Sequence, residues 1–523
     1  MKERSRVSWI WGMITSLLVS ASLLALLSYR VTLAQGTGWS EPVLLSTKTY
    51  HPWFPDIAVD ADGRIHVVYD TGDVPISQGE ALPGVMYTVF QDDVWSEPND
   101  LILGKAGNIF RPAIAVDRLG YLHMVHSGVW YRRAPVTAAR SAASWSKHVL
   151  DDGVTYMSDV AVDSRGAIHV VYEKWVFGDE PILAGTGREI GLADIFYRRS
   201  NDGGRTWTPP LNLSNTTKVG SYRVQIKVDA HDVIHVTWDE GWDRRSLWGE
   251  PQEGMYTSSA DGGQTWSDPV VFSQPENTNA QIAAASDNQG GVLVVWRSTT
   301  IDRVFYSWST DNGITWSEPR EIPGLYARSY NDTPFDAYDM DTDSAGHIHL
   351  VAVGRSRLPE SRGDRVPLGV YHLMWDGESW SEIEPIAIYT EDSGFPEYPK
   401  LAISEGNQLH VVWFVRDQQF GGEHYRIFYS HAESATPRQT PAPTPTLTPT
   451  ATPTTTPVPP PTTTPLPTLD PATTGLPDGL YTENDEIGQL LLASSPVIVL
   501  IGMVAAVKLG WIRRLWSILV RRW

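Results

Sequence analysis

The 523-residue sequence contains no cysteine. This absence excludes disulfide bonds, cysteine-ligated metal sites, a catalytic thiol and a lipid-modified N-terminal cysteine. Basic residues are also scarce, since 41 lysines and arginines stand against 61 aspartates and glutamates, which gives a formal net charge of −20. Much of the basic charge lies at the two ends of the chain, so the middle is still more acidic. Because phosphate binding needs a basic surface, this composition argues against a nucleic-acid partner.

The N-terminal segment has the layout of a secretory signal. Basic residues lie within the first six positions, an apolar run covers 7–27, and Thr32-Leu33-Ala34 offers small residues for cleavage after Ala34. We therefore expect residues 1–34 to be a signal peptide. The apolar run is long for a signal, so an uncleaved N-terminal anchor is the alternative.

The C-terminal end predicts a spacer and a membrane anchor. Residues 435–484 are rich in threonine and proline, which favours an extended, disordered spacer over a recognition motif. Residues 490–507 are apolar and uncharged, and this run is just long enough to cross a bilayer. The basic tail 508–523 has apolar residues at three- and four-residue spacing, typical of an amphipathic helix at the cytoplasmic membrane surface. We therefore expect a single-pass protein of the cell membrane, with residues 35–434 outside the cell.

One hairpin sequence occurs three times in almost the same form. The copies are Ser200–Trp207, Ser259–Trp266 and Ser309–Trp316. We expect the aspartate of each copy to accept backbone hydrogen bonds from its own turn, and the glycines to tolerate positive φ. The sequence Ser-x-Asp-x-Gly-x-Thr-Trp resembles the Asp-box, or BNR, hairpin of sialidase-like β-propellers. The residues expected to have structural roles in these hairpins are Asp202, Gly204, Trp207, Asp261, Gly263, Trp266, Asp311, Gly313 and Trp316.

A second motif repeats along the chain with the first. It is an apolar strand ending in Asp, a glycine turn and then His-Val-Val before an aromatic, and it recurs about every sixty residues, a spacing typical of propeller blades. Each of seven units divides into strands A to D, with the Asp-box hairpin between C and D, and we expect strand D to begin at the tryptophan of the hairpin, as at Trp316. The seventh unit has no strand D before the spacer, whereas Gly38–Leu45 is an unattached strand D. We therefore predict an all-β fold: a seven-bladed β-propeller of four-stranded antiparallel blades, closed by the N-terminal strand D, plus the transmembrane helix.

The repeated histidines of strand B are possible metal ligands. They occupy one equivalent position in each of six units, so the ring rotation separates them, and we expect structural hydrogen bonds instead. Asp60-Ala-Asp62-Gly63 faintly resembles a calcium loop but lacks the later ligands of an EF-hand, which favours a plain turn. The sequence predicts no metal site and no cofactor.

Candidate ligand-binding residues lie at the rim opposite the Asp boxes, where the D–A and B–C connections meet. We expect the long B–C connections 70–84, 173–193 and 239–254 to build pocket walls. Arginines and carboxylates on one rim suit an anionic or polyhydroxylated ligand, and a solvated, salt-bridged rim is the alternative. The candidate residues are Arg111, Tyr222, Arg223, Glu240, Arg297, Arg355 and Arg416. Further residues at the same strand ends are Trp53, Asp70, His126, Glu173, Asp239, Tyr330, Tyr398 and Lys400.

The resemblance to sialidases implies a specific active site. Those enzymes hold the substrate carboxylate with three arginines, attack with a tyrosine activated by a glutamate and use an aspartate as acid. Their first arginine lies in a Phe/Tyr-Arg-Ile-Pro motif, which Phe110-Arg111-Pro112 matches without the Ile, and no motif identifies the other residues. Seven units also differ from the six blades usual in that family.

The incomplete match favours a noncatalytic protein. We expect a surface-anchored propeller that binds an extracellular glycan or a surface protein. The alternatives are an exo-acting glycosidase of the exo-α-sialidase type and a purely structural surface protein.

Overall fold

The computed structural model describes most of the chain between Gly38 and Gln439. The described residues are 38–46, 51–71, 83–104, 110–151, 157–176, 182–183, 189–190, 192–216, 219–243, 253–273, 279–328, 338–358, 360, 366–390, 392–417 and 425–439. All of them lie in the first of two compact units, 1–444, and the second unit, 445–523, lies outside them. The predicted signal peptide, transmembrane helix and basic tail, and the spacer beyond residue 439, therefore also lie outside the described residues. Within the described part, none of the helices has the length and apolarity needed to cross a membrane.

The described strands form seven antiparallel sheets of four or five strands, which we number as blades 1 to 7, and one small two-stranded sheet. The A strands are Trp53–Val59, Ala113–Val116, Ser158–Val162, Val219–Val228, Asn279–Ser286, Tyr338–Thr342 and Phe395–Ser404. The B strands are Ile65–Asp70, Tyr121–His126, Ile168–Val176, Ile234–Asp243, Val292–Ser298, Ile348–Gly354 and Gln408–Arg416. The C strands are Gly84–Gln91, Trp130–Pro135, Leu192–Ser200, Glu253–Ser259, Val304–Ser309, Leu368–Trp375 and Tyr425–Glu433. The D strands are Asn99–Leu103, His148–Val149, Leu211–Asn212, Val270–Phe272, Arg320–Glu321, Glu384–Tyr389 and Val43–Leu44.

Among the described residues, three small strands and two short helices supplement this pattern. Blade 1 carries an extra strand, Val94–Trp95, beside its strand C. Ile182–Leu183 pairs with Glu189–Ile190 inside the B–C connection of blade 3. The two 3-10 helices, Val136–Ala138 and Ala142–Ser144, lie between strands C and D of blade 2.

The blades close into a ring. Each strand A contacts the strands A of the two neighbouring blades, all the way round from blade 1 to blade 7 and back. The last strand D comes from the start of the chain, where Val43 pairs with Tyr429 and Leu44 with Phe428. The predicted seven-bladed propeller and its closure by the N-terminal strand are therefore confirmed.

The hydrophobic core is divided among the blade interfaces. Seven clusters of buried side chains fill the seven interfaces between neighbouring blades. Strand B supplies the largest fully buried rings, Trp238, Trp296 and Trp413. Burying one large aliphatic side chain contributes about 1.5–3 kcal/mol, so the stability of the ring is spread over all seven interfaces.

The tryptophan that ends each Asp box packs on the preceding blade. Trp207 meets Tyr131 of blade 2 with ring centroids 4.9 Å apart, and Trp266 meets Tyr197 of blade 3 at 4.8 Å. The sequence predicted that strand D begins at this tryptophan, and this is wrong. In blade 4, strand D begins at Val270, because Trp266 leaves its own sheet to fill the gap to the preceding blade.

The Asp-box hairpin is closed by its aspartate. Asp261 Oδ1 accepts the N–H groups of Gln264 and Thr265, both at 2.9 Å, and Oδ2 accepts the Thr265 hydroxyl at 2.6 Å. The hydrogen bond from the Thr265 hydroxyl has the largest effect, followed by the one from the Thr265 N–H, and they lower the pKa of Asp261 to about 2. Gly263 has a φ of 80°, and a Cβ there would lie 1.9 Å from the Tyr197 hydroxyl oxygen, so the position requires glycine.

We expect Asp261→Ala to lower the melting temperature at pH 7 and to have a smaller effect in acid. Because the folded state lowers the pKa of Asp261, its contribution is present above the ordinary pKa near 4 and is lost as the pH falls toward 2. Thermal unfolding of both proteins between pH 7 and about pH 3 measures this difference. The exposed Asp268→Ala is the matched control, and an equal loss at every pH would contradict the role of the ionised carboxylate.

The strand-B histidines join the strands of their own blade, as predicted. His66 Nδ1 lies 2.7 Å from the Tyr87 hydroxyl, and its Nε2 lies 3.3 Å from Asp60 Oδ2. His410 makes the same pair of contacts with Tyr429 and Ser404, both at 2.8 Å. Among the described residues, no group of three or more His, Asp or Glu side chains is arranged to hold a metal ion.

Candidate functional site

Near the start of strand A, five blades have a non-glycine residue in the left-handed conformation. Their φ angles lie between 42° and 59°, and all five occupy the same position of the repeat. We call these residues the collar: Phe54, Arg111, Arg223, Gln281 and Tyr398. Such a conformation costs of order 1–3 kcal/mol in a non-glycine residue. In blades 1, 4, 5 and 7 the A–B pairing shifts register at this point, so the collar is a repeated bulge at the mouth of the ring.

Buried carboxylates from strand B hold the collar backbone. Asp70 Oδ2 accepts the N–H groups of Phe110 and Arg111 at 2.8 and 3.2 Å. Glu173 Oε1 accepts the Arg223 N–H at 2.6 Å. Each of these hydrogen bonds joins the end of strand B in one blade to the start of strand A in the next blade. The strand-B carboxylates predicted as ligand contacts are therefore engaged in positioning the collar.

Glu173 is the centre of a first cluster on this rim. It is fully buried, and burial raises its pKa to about 7, against the opposing effects of the Arg223 N–H and the charges of Arg111 and Arg223. Burial, and then the charge of Glu173, raises the pKa of Tyr222. Arg111 lies over the Phe54 ring at 4.3 Å, and Arg223 Nη1 donates to Asp239 Oδ2 at 2.7 Å. The structure thus brings together three predicted site residues, which are Arg111, Tyr222 and Arg223.

We expect Glu173→Gln to flatten the pH dependence of stability between about pH 4 and pH 7. The folded state raises the pKa of Glu173 from 4.5 to about 7, so its contribution is present below the unfolded pKa and is lost as the pH rises through the folded pKa. The change amounts to about 3 kcal/mol across that window. Glutamine keeps an oxygen for the Arg223 N–H, and its amide adds a cost that does not vary with pH. Denaturant unfolding at several pH values, with the exposed Glu378→Gln as control, tests this, and parallel curves for wild type and Glu173→Gln would contradict it.

Glu397 is the centre of a second cluster on the same rim. Its Oε1 accepts Arg328 Nη2 at 2.7 Å and also accepts Arg416 Nη2. Arg297 joins the cluster through the backbone carbonyl of Arg328, to which its Nη2 donates. All four side chains are at least 95 % buried. Two predicted residues, Arg297 and Arg416, are therefore brought together around a carboxylate of the chain itself.

The other predicted residues lie apart from these clusters. Glu240 accepts the Trp238 indole N–H at 3.0 Å, and burial raises its pKa. Arg355 forms a backbone bridge with Tyr326. Tyr330 and most of the three long B–C connections lie outside the described residues, so their expected role as pocket walls stays a prediction.

The central channel below the collar holds a network of charges. Asp56, Asp159, Asp339 and Lys400 are equivalent residues of four strands A, and Lys227 Nζ lies 2.8 Å from Asp339 Oδ1 across the ring. Burial raises the pKa of Asp56 to about 7, opposed by Lys400. Asp56 Oδ2 also accepts the Ile114 N–H of the next blade at 2.7 Å. The network thus fastens neighbouring strands A to one another.

Sequence reasoning missed Glu397 and Arg328. Glu397 lies one residue before the collar position of blade 7, where blades 1, 2 and 4 have Trp53, Phe110 and Tyr222. An alignment of the strand-A starts would have singled out the glutamate at an aromatic position. Arg328 lies in a D–A connection, and nothing in its local sequence marks it.

Comparison with known proteins matches part of the chain to a repeat family. The BNR repeat-like domain family matches residues 255–411. No curated protein sequence matches the chain. A solved protein of unknown function from Dyadobacter fermentans is 15% identical with a TM-score of 0.48, and the match covers 76% of this chain and 100% of that chain.

Two solved enzymes are also similar in structure. An ulvan lyase of a polysaccharide lyase family is 14% identical with a TM-score of 0.49, over 74% of this chain and 95% of that chain. The NanB sialidase from Streptococcus pneumoniae is 14% identical with a TM-score of 0.41, over 77% of this chain and 71% of that chain. A shared activity does not follow from identities this low. The structure is a seven-bladed β-propeller with three Asp-box hairpins, and residues 255–411 of it match the BNR repeat-like domain family.

Proposed function

We propose that the protein is a noncatalytic glycan-binding propeller that uses the rim carrying the collar, which we call the collar rim. The observation that carries the proposal is that arginines of this rim form ion pairs with carboxylates of the chain itself. Glu397 holds Arg328 and Arg416, and Asp239 holds Arg223. A sialidase-type site keeps its arginines for the carboxylate of the substrate, whereas these arginines are neutralised by carboxylates of the chain.

The alternative of an exo-α-sialidase-type enzyme is favoured by one feature, the Glu173 cluster. A glutamate with a pKa of about 7, close to Tyr222, has the protonation behaviour required of a general base. The pKa of Tyr222 disfavours this alternative. A nucleophile is activated either by a lowered pKa or by an adjacent base, and burial, followed by the charge of Glu173, raises the pKa of Tyr222, which leaves only proton transfer to an adjacent base.

Membrane attachment is a further part of the proposal, and the described end of the chain supports it. Ser344 Oγ donates to the Pro437 carbonyl at 2.5 Å, and the Gln439 N–H donates to the Glu405 carbonyl at 2.6 Å. Both contacts lie at A–B turns, so the chain leaves the propeller on the Asp-box rim. The rim at which the described chain ends is therefore not the rim proposed for ligand binding.

The experiment that tests the proposal combines binding and turnover. The full-length protein is applied to an array of neutral and acidic oligosaccharides, and its hydrolysis of a fluorogenic sialoside is measured. We expect binding to glycans on the array and no turnover. Sialoside turnover that Arg111→Ala or Glu173→Gln abolishes would establish the enzyme instead. An empty array together with an empty pull-down from surface proteins would favour the structural protein.

A further inference from the structure

Blade 6 differs from the other blades at one position of strand C. There it has His372, whose Nε2 lies 2.8 Å from Nδ1 of His349, the repeated histidine of strand B. The strand register places a tyrosine at this position in every other blade: Tyr87, Tyr131, Tyr197, Tyr256, Tyr306 and Tyr429. Blade 6 therefore has a second imidazole where the other six blades have a phenol.

A carboxylate lies at each end of this pair of imidazoles. His349 Nε2 lies 3.1 Å from Asp343 Oδ2, and His372 Nδ1 lies 2.9 Å from Glu384 Oε2. The hydrogen bond from His372 lowers the pKa of Glu384, and against the effect of burial the hydrogen bond from His349 lowers the pKa of Asp343. Both carboxyl groups are therefore ionised and accept hydrogen bonds. We call these four side chains the proton chain.

The proton chain needs one proton more than two neutral imidazoles carry. Its three contacts run between two carboxylates, which only accept, so each contact requires an N–H proton from one of the rings. A neutral imidazole has one such proton. In blade 1 the tyrosine supplies the second proton of the equivalent chain, since the Tyr87 hydroxyl lies 2.7 Å from His66 Nδ1. Histidine in place of tyrosine thus turns a neutral chain of hydrogen bonds into one that binds an additional proton.

The other titratable groups near the proton chain lie outside its line of hydrogen bonds. His347 Nδ1 lies 3.2 Å from Asp343 Oδ2, but the His347 side chain is 31 % exposed. The strands of blade 7 that face the proton chain contribute apolar side chains, Leu409 and Val411 among them. The charged groups of the adjoining turns are Glu382, Glu405 and Arg438, and Glu405 pairs with Arg438. Burial lowers the pKa of His372, so the additional proton lies on His349, beside the buried Asp343.

One end of the proton chain contacts the segment that closes the ring. The Trp39 ring meets His372 edge to face at 5.3 Å, and a hydrogen bond from the Trp39 side chain contributes to the low pKa of Glu384. Trp39 precedes the N-terminal strand D and packs in the hydrophobic cluster between blades 6 and 7. The proton chain therefore connects the sheet of blade 6 to the N-terminal segment that completes blade 7.

We propose that the proton chain is a pH-sensitive clasp on the N-terminal closing strand. With the additional proton bound, all three hydrogen bonds form, and His372 and Glu384 hold Trp39. Without it, two ring nitrogens face each other with lone pairs, and the clasp loosens.

The sign of the pH dependence follows from the two carboxylates. They bind the additional proton more tightly in the folded protein than in the unfolded chain, where histidine has a pKa of about 6.5. The stabilisation is therefore fully present below that value and is lost as the pH rises through the folded pKa of the imidazole pair. The clasp is closed in acid and loosens in alkali.

His372→Tyr tests the clasp, because it gives blade 6 the residue of the other six blades and should leave the fold intact. Melting temperatures of the full-length protein and the variant are compared between about pH 5.5 and about pH 8.5. Since Asp56 and Glu173 titrate in the same range, the measured quantity is the difference between the two proteins. We expect the wild type to lose several degrees more than His372→Tyr as the pH rises.

His231→Tyr is the matched control, since it makes the same exchange at an exposed position of an A–B turn and should follow the wild type. If His372→Tyr does not fold, Glu384→Gln decides the question. It removes one carboxylate but keeps an oxygen for His372, and it should move the loss of stability to lower pH. A difference between the wild type and the folded variant that stays constant with pH, or changes in the opposite direction, would overturn the inference.

Hydrogen–deuterium exchange distinguishes a clasp from a titration without structural effect. Protection of residues 40–45, corrected for the intrinsic pH dependence of exchange, should fall several-fold between about pH 6 and about pH 8 in the wild type and stay level in His372→Tyr. Asn99–Leu103, strand D of blade 1, is the internal control and should not change. If the two strands respond alike, the closing strand is not under the control of the proton chain and the inference is wrong.

Discussion

Glu397→Ala is expected to destabilise the propeller by about 3–5 kcal/mol, because it leaves two buried arginines without their counter-charge. Arg328 and Glu397 are fully buried, and Arg416 is 4 % exposed, so water cannot replace the lost carboxylate. Arg328 comes from the connection that leads into blade 6, whereas Glu397 and Arg416 belong to blade 7. The substitution therefore also loosens an interface between blades. Denaturant unfolding followed by tryptophan fluorescence measures the change.

Glu321→Ala is the matched control for this prediction. Glu321 pairs with Arg303 at 3.2 Å, but the two side chains are 52 % and 31 % exposed. An exposed ion pair of this kind contributes about 0–1 kcal/mol. If Glu397→Ala cost no more than Glu321→Ala, the buried cluster would not be the interaction that the structure shows.

Deletion of residues 38–46 is expected to prevent the propeller from closing. The deleted strand pairs with strand C of blade 7, where the Ser40 N–H donates to the His431 carbonyl at 2.8 Å and the Leu45 N–H to the Ile427 carbonyl at 2.9 Å. Leu45 is also 95 % buried in the cluster between blades 7 and 1. The lost hydrogen bonds and buried surface amount to about 5 kcal/mol or more, which approaches the whole stability of a typical domain.

The deleted protein should aggregate, because strand C of blade 7 becomes an unpaired edge. Size-exclusion chromatography and thermal unfolding detect this. A synthetic peptide of residues 38–46 should restore the monomer and its melting temperature, since it can pair with the open edge, and a scrambled peptide should not. A monomeric deletion variant with an unchanged melting temperature would show that the terminal strand is dispensable.

The sequence was sufficient to predict the ring because the fold is a repeat. Ile57–Tyr69 and its copies carry the alternation of strands A and B, and the missing seventh strand D matched the unattached Gly38–Leu45. The start of strand D was predicted wrongly, because Trp266 is conformationally able to begin a strand but packs on Tyr197 of the preceding blade instead. That contact is between blades, and a local pattern does not contain it.

The sequence was sufficient to predict which strand ends form the rim of the candidate site. It was not sufficient to predict which arginines and carboxylates pair there. Strand ends placed Arg223, Arg297 and Arg416 on the correct rim, since alternation and strand order fix which ends meet. Their partners depend on the left-handed bulge of the collar and on the register of neighbouring blades. Glu397, which determines the charge of the rim, was therefore recognised in the structure and not in the sequence.

Hydrogen–deuterium exchange of the full-length protein, with and without a bound oligosaccharide, tests the central claim most directly. If the collar rim binds the glycan, backbone protection will appear among the collar segments 53–56, 110–112, 222–225, 280–283 and 397–400. The Asp-box hairpins at 200–207, 259–266 and 309–316 will exchange as in the free protein. Protection confined to the Asp-box hairpins would place the ligand on the opposite rim and contradict the account.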